Sequence, residues 1–303
     1  MVVVALLAAP LVALASAWLA TPGVGDLARR VALHDPAGQP HAVVLGAVAP
    51  LAVEGLIATE DERFRSNSGI DVIGLMRAIP YDITHLSLAQ GGSTLTEQLA
   101  KNLWLGGSDQ HAWAKLRDMA LALKLDHRYS KDSILAAYLN TAYFGQGAYG
   151  IGAASRRYFG VAPAALTPVQ ATVLVGLVQA PTSYDPYTHP AASRLRQIDV
   201  LRSLVRVGKL SVADAERLLA EPLPLADGKV VPGITGVSLS TGSAVTWSGM
   251  ALAVAAAFAA LGALMARQLV RHRHPGLAAA ALVLAVCLLA GAAVVAVGSL
   301  RVV

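Results

Sequence analysis

The sequence predicts an all-α fold flanked by membrane-spanning helices, and three observations carry that prediction. Apolar residues recur at helical spacing in eight stretches between positions 50 and 220, several of them opened by a capping residue. No alternating strand pattern of any length occurs. Three long apolar runs, nearly free of charge, occupy the two ends of the chain.

The elements follow in order. Residues 2–20 are uncharged and mostly apolar, enough for one membrane crossing. Within them Ala15-Ser16-Ala17 resembles a signal-peptidase site, so 1–21 is a retained anchor or a cleaved leader, with the anchor preferred. Residues 21–47, rich in Gly, Pro and His, read as an irregular or weakly stranded entry. Helices are predicted over 50–65, 94–104, 112–126, 131–142, 149–158, 167–179, 190–208 and 211–220. Ser130, Thr167 followed by Pro168, and Ser211 supply N-terminal caps. Beyond Lys229 no charge appears until Arg267. Gly249–Ala266 is long enough for about 27 Å of helix at ~1.5 Å per residue, and Gly276–Leu300 is apolar again. Between them lie Arg267, Arg271, His272, Arg273 and His274. A basic loop between two spans belongs on the cytoplasmic side, which puts residues 22–230 on the outer face. The expected organisation is an anchor over 1–21, one domain over 22–230 and a transmembrane hairpin over 231–303.

Composition closes off other classes. Of 303 residues, 55% are hydrophobic and 14% charged, against about 25% charged in soluble domains. Disorder and a coiled coil are excluded. The single cysteine, Cys287, rules out an internal disulfide and a cysteine metal site. The formal charge is +5, but residues 21–230 hold 20 basic and 19 acidic side chains, a net of +1. The excess sits beside the membrane runs, so no nucleic-acid partner is expected. The eight histidines show no metal-ligand spacing.

Three stretches could carry chemistry. In Glu60-Asp61-Glu62, Glu60 ends the apolar run Leu56-Ile57-Ala58. A carboxyl group against apolar walls has its charged form disfavoured, which brings its pKa toward the range useful for a base; the bland alternative is a solvated helix end. In Gly91-Gly92-Ser93-Thr94-Leu95-Thr96-Glu97-Gln98, Thr94 and Glu97 have capping-box spacing. A helix start after two glycines suits an anion, and it equally suits a merely well-capped helix. Gln98 and Lys101 share a helix face. In the mostly apolar helix from Trp113 to Asp126, Asp118 needs a partner or a task, and Lys115 and Arg117 are its local partners. No Ser-x-x-Lys or Lys-Thr-Gly occurs, which excludes a penicillin-type acyl-serine centre.

Taken together, roughly residues 48–190 resemble the peptidoglycan glycosyltransferases, both the monofunctional enzymes and the matching module of class A penicillin-binding proteins. The pieces occur in family order. They run from Ala58-Thr59-Glu60-Asp61-Glu62-Arg63-Phe64 and Gly69-Ile70-Asp71 to Gly91-Gly92-Ser93-Thr94-Leu95-Thr96 and Gln98-Leu99-Ala100-Lys101-Asn102. Tyr138-Leu139-Asn140, Tyr143-Phe144-Gly145, Arg157-Tyr158-Phe159-Gly160, Gln179-Ala180-Pro181 and Tyr184-Asp185-Pro186 follow. The resemblance implies a lysozyme-like helical fold acting on lipid II, with glycan strands as product and undecaprenyl diphosphate as leaving group. It implies Glu60 as general base toward the acceptor 4-hydroxyl, with inversion at the donor anomeric carbon. It places Asp118 on the family's second acid, beside the diphosphate. Asp61, Phe64, Gly92, Ser93, Thr94, Gln98, Lys101, Asn102 and Lys115 are the implied substrate-binding positions. It also implies a divalent cation, Mg²⁺ or Mn²⁺, with Asp118 its candidate ligand, and no organic cofactor. Membrane lipids and other cell-wall synthesis proteins are the expected partners, and the cell membrane the expected location.

Five positions depart from the family pattern. Asn67 replaces His, Glu97 replaces Gln, Gln110 and Ala114 replace two Arg, and Asp118 replaces Glu. Loss of two cations beside a diphosphate is the most serious change; Lys115 and Arg117 are the available replacements. An active glycosyltransferase is the leading reading. A catalytically impaired relative that binds lipid II or glycan as a scaffold is the alternative, and a glycan-cleaving enzyme on the same fold is more distant.

Overall fold

The computed structural model describes residues 12–34, 43–74, 93–106 and 112–240. The chain divides into two units, one of them Ala13–Ser240; of the other, only Val12 is described. The expected hairpin over 231–303 therefore lies almost wholly outside the described residues, as does most of the 2–20 run. Among the described residues no helix is long and apolar enough to cross a membrane.

The helices are α1 (12–20), α2 (Leu27–Leu33), α3 (Pro50–Glu60) and α4 (Leu95–Ala100), the last continuing as a π-helical turn over Lys101–Leu105. Then come α5 (Ala112–Arg128), α6 (Lys131–Thr141), α7 (Ile151–Phe159), α8 (Pro168–Leu177), α9 (Pro190–Arg206) and α10 (Val212–Ala220). Two-residue strands, Leu223–Pro224 and Val230–Val231, pair antiparallel after them. The helix-rich expectation stands. The segment expected to be irregular contains α2, whose Leu27 is buried and which packs on α6.

Local chemistry explains the boundaries. Proline occupies the first turn of α3, α8 and α9, where its missing N–H costs nothing. Capping boxes open α4 (Thr94 with Glu97) and α8 (Thr167 with Gln170), each worth about 1 kcal/mol. Ser130 and Ser211 cap α6 and α10. α8 is buried at every position from Val169 to Leu177, as a helix apolar on all sides must be. It packs on α3 and α9, which also pack on each other, and these three form the centre of the core. The α4–α5–α6 group joins the same core through Leu95, Leu99, Leu121, Leu125 and Leu135.

The unit runs past the expected 22–230 limit. Leu239 is buried in a small cluster with Ile198, Leu201, Ala215 and Leu219, and its N–H donates to Glu216 at 3.0 Å.

Candidate active site

Helix α3 was expected to run to residue 65 but stops at Glu60. The cause is Asp61. Its backbone leaves the helical region, and its buried carboxylate takes two bonds from elsewhere in the fold. The Leu95 N–H donates to one oxygen at 3.1 Å, and Asn67 Nδ2 to the other at 2.9 Å. Asp61 thus ties the end of α3 to the first turn of α4. The next loop folds inward and buries Phe64 completely, with the Lys131 ammonium 4.9 Å from its ring centroid. Gly69 completes the junction at a left-handed φ of 91°, where its carbonyl accepts the Thr94 hydroxyl at 2.6 Å.

Glu60 therefore faces out from a fixed helix end. Its side chain is 13% exposed. Gln98 Nε2 donates to one carboxylate oxygen and Arg196 Nη2 to the other, each at 3.3 Å. The Tyr138 hydroxyl donates to Gln98 Oε1 at 2.8 Å, which fixes the amide with its NH₂ toward Glu60. Burial raises the Glu60 pKa above the ordinary glutamate value, and Gln98 and Arg196 partly offset the rise. Burial lifts Asp61 to about 6.

A second group of charges lies where α4 packs on α5. Lys115 Nζ donates to Ser93 Oγ at 2.8 Å and to Glu97 Oε2 at 3.1 Å. The same Glu97 oxygen accepts the Thr94 N–H at 2.8 Å. Asp118 is buried, which raises its pKa, while Lys115, Lys101 and Arg117 favour its charged form. Gln98, Lys101 and Asn102 follow one another along α4 and its π-helical turn, all half-buried. Such turns recur at functional sites.

The structure thus brings Glu60 together with Gln98, and Ser93 with Lys115; Lys101 and Lys115 share the field around Asp118. Asp61, Phe64 and Thr94, expected to touch substrate, are internal. Asp61 is a clamp between α3 and α4, Phe64 is core, and Thr94 is a helix cap bonded to Gly69. Gly92, Gln110 and the structure around residues 107–111 lie outside the described residues. Ala114, which stands for one of the missing arginines, is buried. Sequence reasoning missed Arg196 and Tyr138 as partners of the Glu60 site. Arg196 is 136 residues from Glu60 in a helix of ordinary amphipathic pattern, so no local signal marks it.

A half-buried, hydrogen-bonded acid at a helix end, beside a half-buried polar helix and a cluster of ammonium groups, is the arrangement of a helical enzyme's active site. The Transglycosylase family model matches residues 31–205, and the chain belongs to that family. It is a glycosyltransferase. A Cupriavidus necator protein named as a transglycosylase is 37% identical over 188 residues, 61% of this chain and 80% of its own length. Penicillin-binding protein 1B of Vibrio cholerae is 39% identical over 175 residues, and penicillin-binding protein 1A of Mycobacterium tuberculosis 39% over 176. Each alignment covers 56% of this chain, but the chain spans only 22% and 21% of those two proteins. Penicillin-binding protein 1A of Haemophilus influenzae, a crystal structure, aligns over 61% of the chain and 18% of its own, with 20% identity and a TM-score of 0.38.

Proposed function

We propose that the chain polymerises lipid II into glycan strands at the outer face of the cell membrane. Glu60 is the general base. It takes the proton of the acceptor 4-hydroxyl as that oxygen attacks the donor anomeric carbon from the face opposite the diphosphate. The bond from that carbon to the phosphate oxygen breaks, configuration inverts, and undecaprenyl diphosphate leaves with the bonding pair. A base needs its proton affinity near working pH, and burial of Glu60 pushes it that way. Gln98 and Arg196 hold the carboxylate in one orientation, which keeps the acceptor in line. Lys115 and Lys101 are the cations for the departing diphosphate, with Ser93 and Asn102 as hydrogen-bonding partners. The single observation that carries this reading is Glu60 itself, a poorly exposed carboxylate fixed by two donors at a helix end.

Membrane attachment belongs to the same proposal. The end of α1 exposes Leu19 at 85% and Trp18 at 40%, as suits a helix leaving the bilayer interface. Among the described residues no group of three or more His, Cys, Asp or Glu could hold a metal. Asp118 alone does not build a resident site. Mg²⁺ or Mn²⁺ is proposed only as a counter-ion carried by the diphosphate, with Asp118 an acid in the field of the same lysines.

The test is polymerisation of labelled lipid II by the detergent-solubilised chain beside Glu60→Gln. Strands from the parent and a loss of about 10²–10⁴-fold in the variant are expected for removal of a general base. Saturable lipid II binding with no strands from either protein would instead support a scaffold. Burial of Ala114 where a cation is usual favours that second reading.

A further inference from the structure

The two walls of the candidate site share a contact that the chemistry does not require. Segment 13–34 grips both. On one side, Lys124 of α5 reaches the end of α1. Its Nζ lies 2.8 Å from the Trp18 carbonyl, 2.7 Å from the Thr21 carbonyl, 2.9 Å from Thr21 Oγ1 and 3.3 Å from the Pro22 carbonyl. It also stands 5.0 Å from the Trp18 ring centroid. These carbonyls lie at and just past the C-terminal end of α1, where a cation is favoured electrostatically and by hydrogen bonding. The Tyr129 hydroxyl adds a bond to the Val24 carbonyl at 2.9 Å. On the other side, Arg30 of α2 donates to the Leu103 carbonyl at 2.7 Å and lies 4.7 Å from the Trp104 ring centroid. Asp26 holds the same guanidinium at Nε, 3.0 Å away.

The held elements are the ones that carry the substrate-side residues. Leu103 and Trp104 belong to the same π-helical turn as Lys101 and Asn102. Lys124 lies on the helix that carries Lys115 and Asp118. The family match begins at residue 31, so Asp26, Arg30 and the carbonyls gripped by Lys124 all precede the matched region.

We infer that residues 13–34 are a brace within the catalytic domain, with Arg30 and Lys124 as positioning residues that fix the π-helical turn and α5. The inference rests on the reading of Lys101, Asn102, Lys115 and Asp118 as substrate-side groups. It also assigns the leader-like Ala15-Ser16-Ala17 to folded structure. Ala17 is fully buried, and its carbonyl accepts both the Thr21 N–H at 3.0 Å and the Thr21 hydroxyl at 2.9 Å.

The test uses the full chain in detergent, with Arg30→Ala, Arg30→Lys and Lys124→Met. KM and kcat on lipid II are measured with amide hydrogen exchange and intact mass. Arg30→Ala should raise KM about tenfold, since a misplacement of ~1 Å costs up to ~10²-fold. It should lose exchange protection selectively over residues 98–105, with the pH profile of kcat unchanged. Arg30→Lys should recover most of both. Lys124→Met should lose protection over 115–124, with the same KM-weighted defect. Unchanged exchange in both alanine- and methionine-type variants overturns the brace. So does a uniform loss of protection across the domain, which marks general destabilisation. An intact mass showing loss of the chain through Asp26 also overturns it. A parent chain that makes no strands sinks the polymerase reading alone, because exchange still decides the brace.

Discussion

Asp61→Asn separates the role of clamp from the role of substrate contact, and its size can be worked from the structure. The buried Asp61 carboxyl has a pKa of about 6 in the folded chain, against ~3.9 in an unfolded one. A raised folded pKa contributes stability that is fully present below the unfolded value and lost as pH rises through the folded value. At pH 7 the carboxyl is mostly charged and the contribution is nearly gone. At pH 5 it is mostly protonated when folded and charged when unfolded, which stabilises the fold by about 1.4 kcal/mol relative to pH 7. Asparagine does not titrate, so it lacks this gain. It still offers one oxygen to the Leu95 N–H but loses acceptance at the second, costing about 1.5–3 kcal/mol for a bond to a charged group. Release from burying a charge offsets much of that cost at pH 7. The assay is thermal melting of parent and variant in detergent at pH 5 and pH 7. For a unit of this size ~1 kcal/mol moves Tm by about 2–4 °C, so the Tm gap should widen by about 3–6 °C at pH 5, with the parent gaining. Parallel Tm profiles would refute the buried-clamp reasoning. A variant that melts like the parent but loses lipid II affinity would return Asp61 to the substrate site.

Two further predictions concern catalysis. Arg196→Met removes a cation that favours charged Glu60, so the acid limb of the kcat profile should move to higher pH, with activity recovering above it. A limb that stays in place, or moves to lower pH, would remove Arg196 from the site. Asp118→Glu restores the longer acid; steady-state rates on lipid II should rise if a reach shortened by one methylene limits the parent, on the order of tenfold. Equal or lower rates would show that the surrounding lysines have adapted to aspartate.

Much of the fold was legible because its helices start where side chains supply the missing backbone partners. Ser130, Thr167 with Gln170, and Ser211 cap helices at or within a residue or two of the expected starts. Helix α2 was missed because seven residues between Gly-rich and His-rich stretches carry too little periodicity; it forms by packing Leu27 against the core beside α6. The end of α3 was missed for a related reason. Residues 61–65 read as a continuing helix, and the chain turns at Asp61 because its carboxylate is bonded by Asn67 and by Leu95, 34 residues away.

The candidate site divides along the same line. Glu60, Gln98, Lys101, Lys115 and Asp118 were named from sequence because residue type, apolar context and motif order are local properties of the chain. Which of their neighbours were core, and which distant partners reached them, was not local. Asp61, Phe64 and Thr94 belong to the same motifs but turn inward, since a helix junction this tight must satisfy every buried polar group it creates. Arg196 reaches Glu60, Tyr138 orients Gln98, and Arg30 and Lys124 hold the site walls. The sequence by itself determined the helical class, the acid and the family resemblance. Tertiary structure alone decided how that acid is held, because hydrogen-bond partners are chosen by proximity in space, and packing of α3, α8 and α9 sets that proximity.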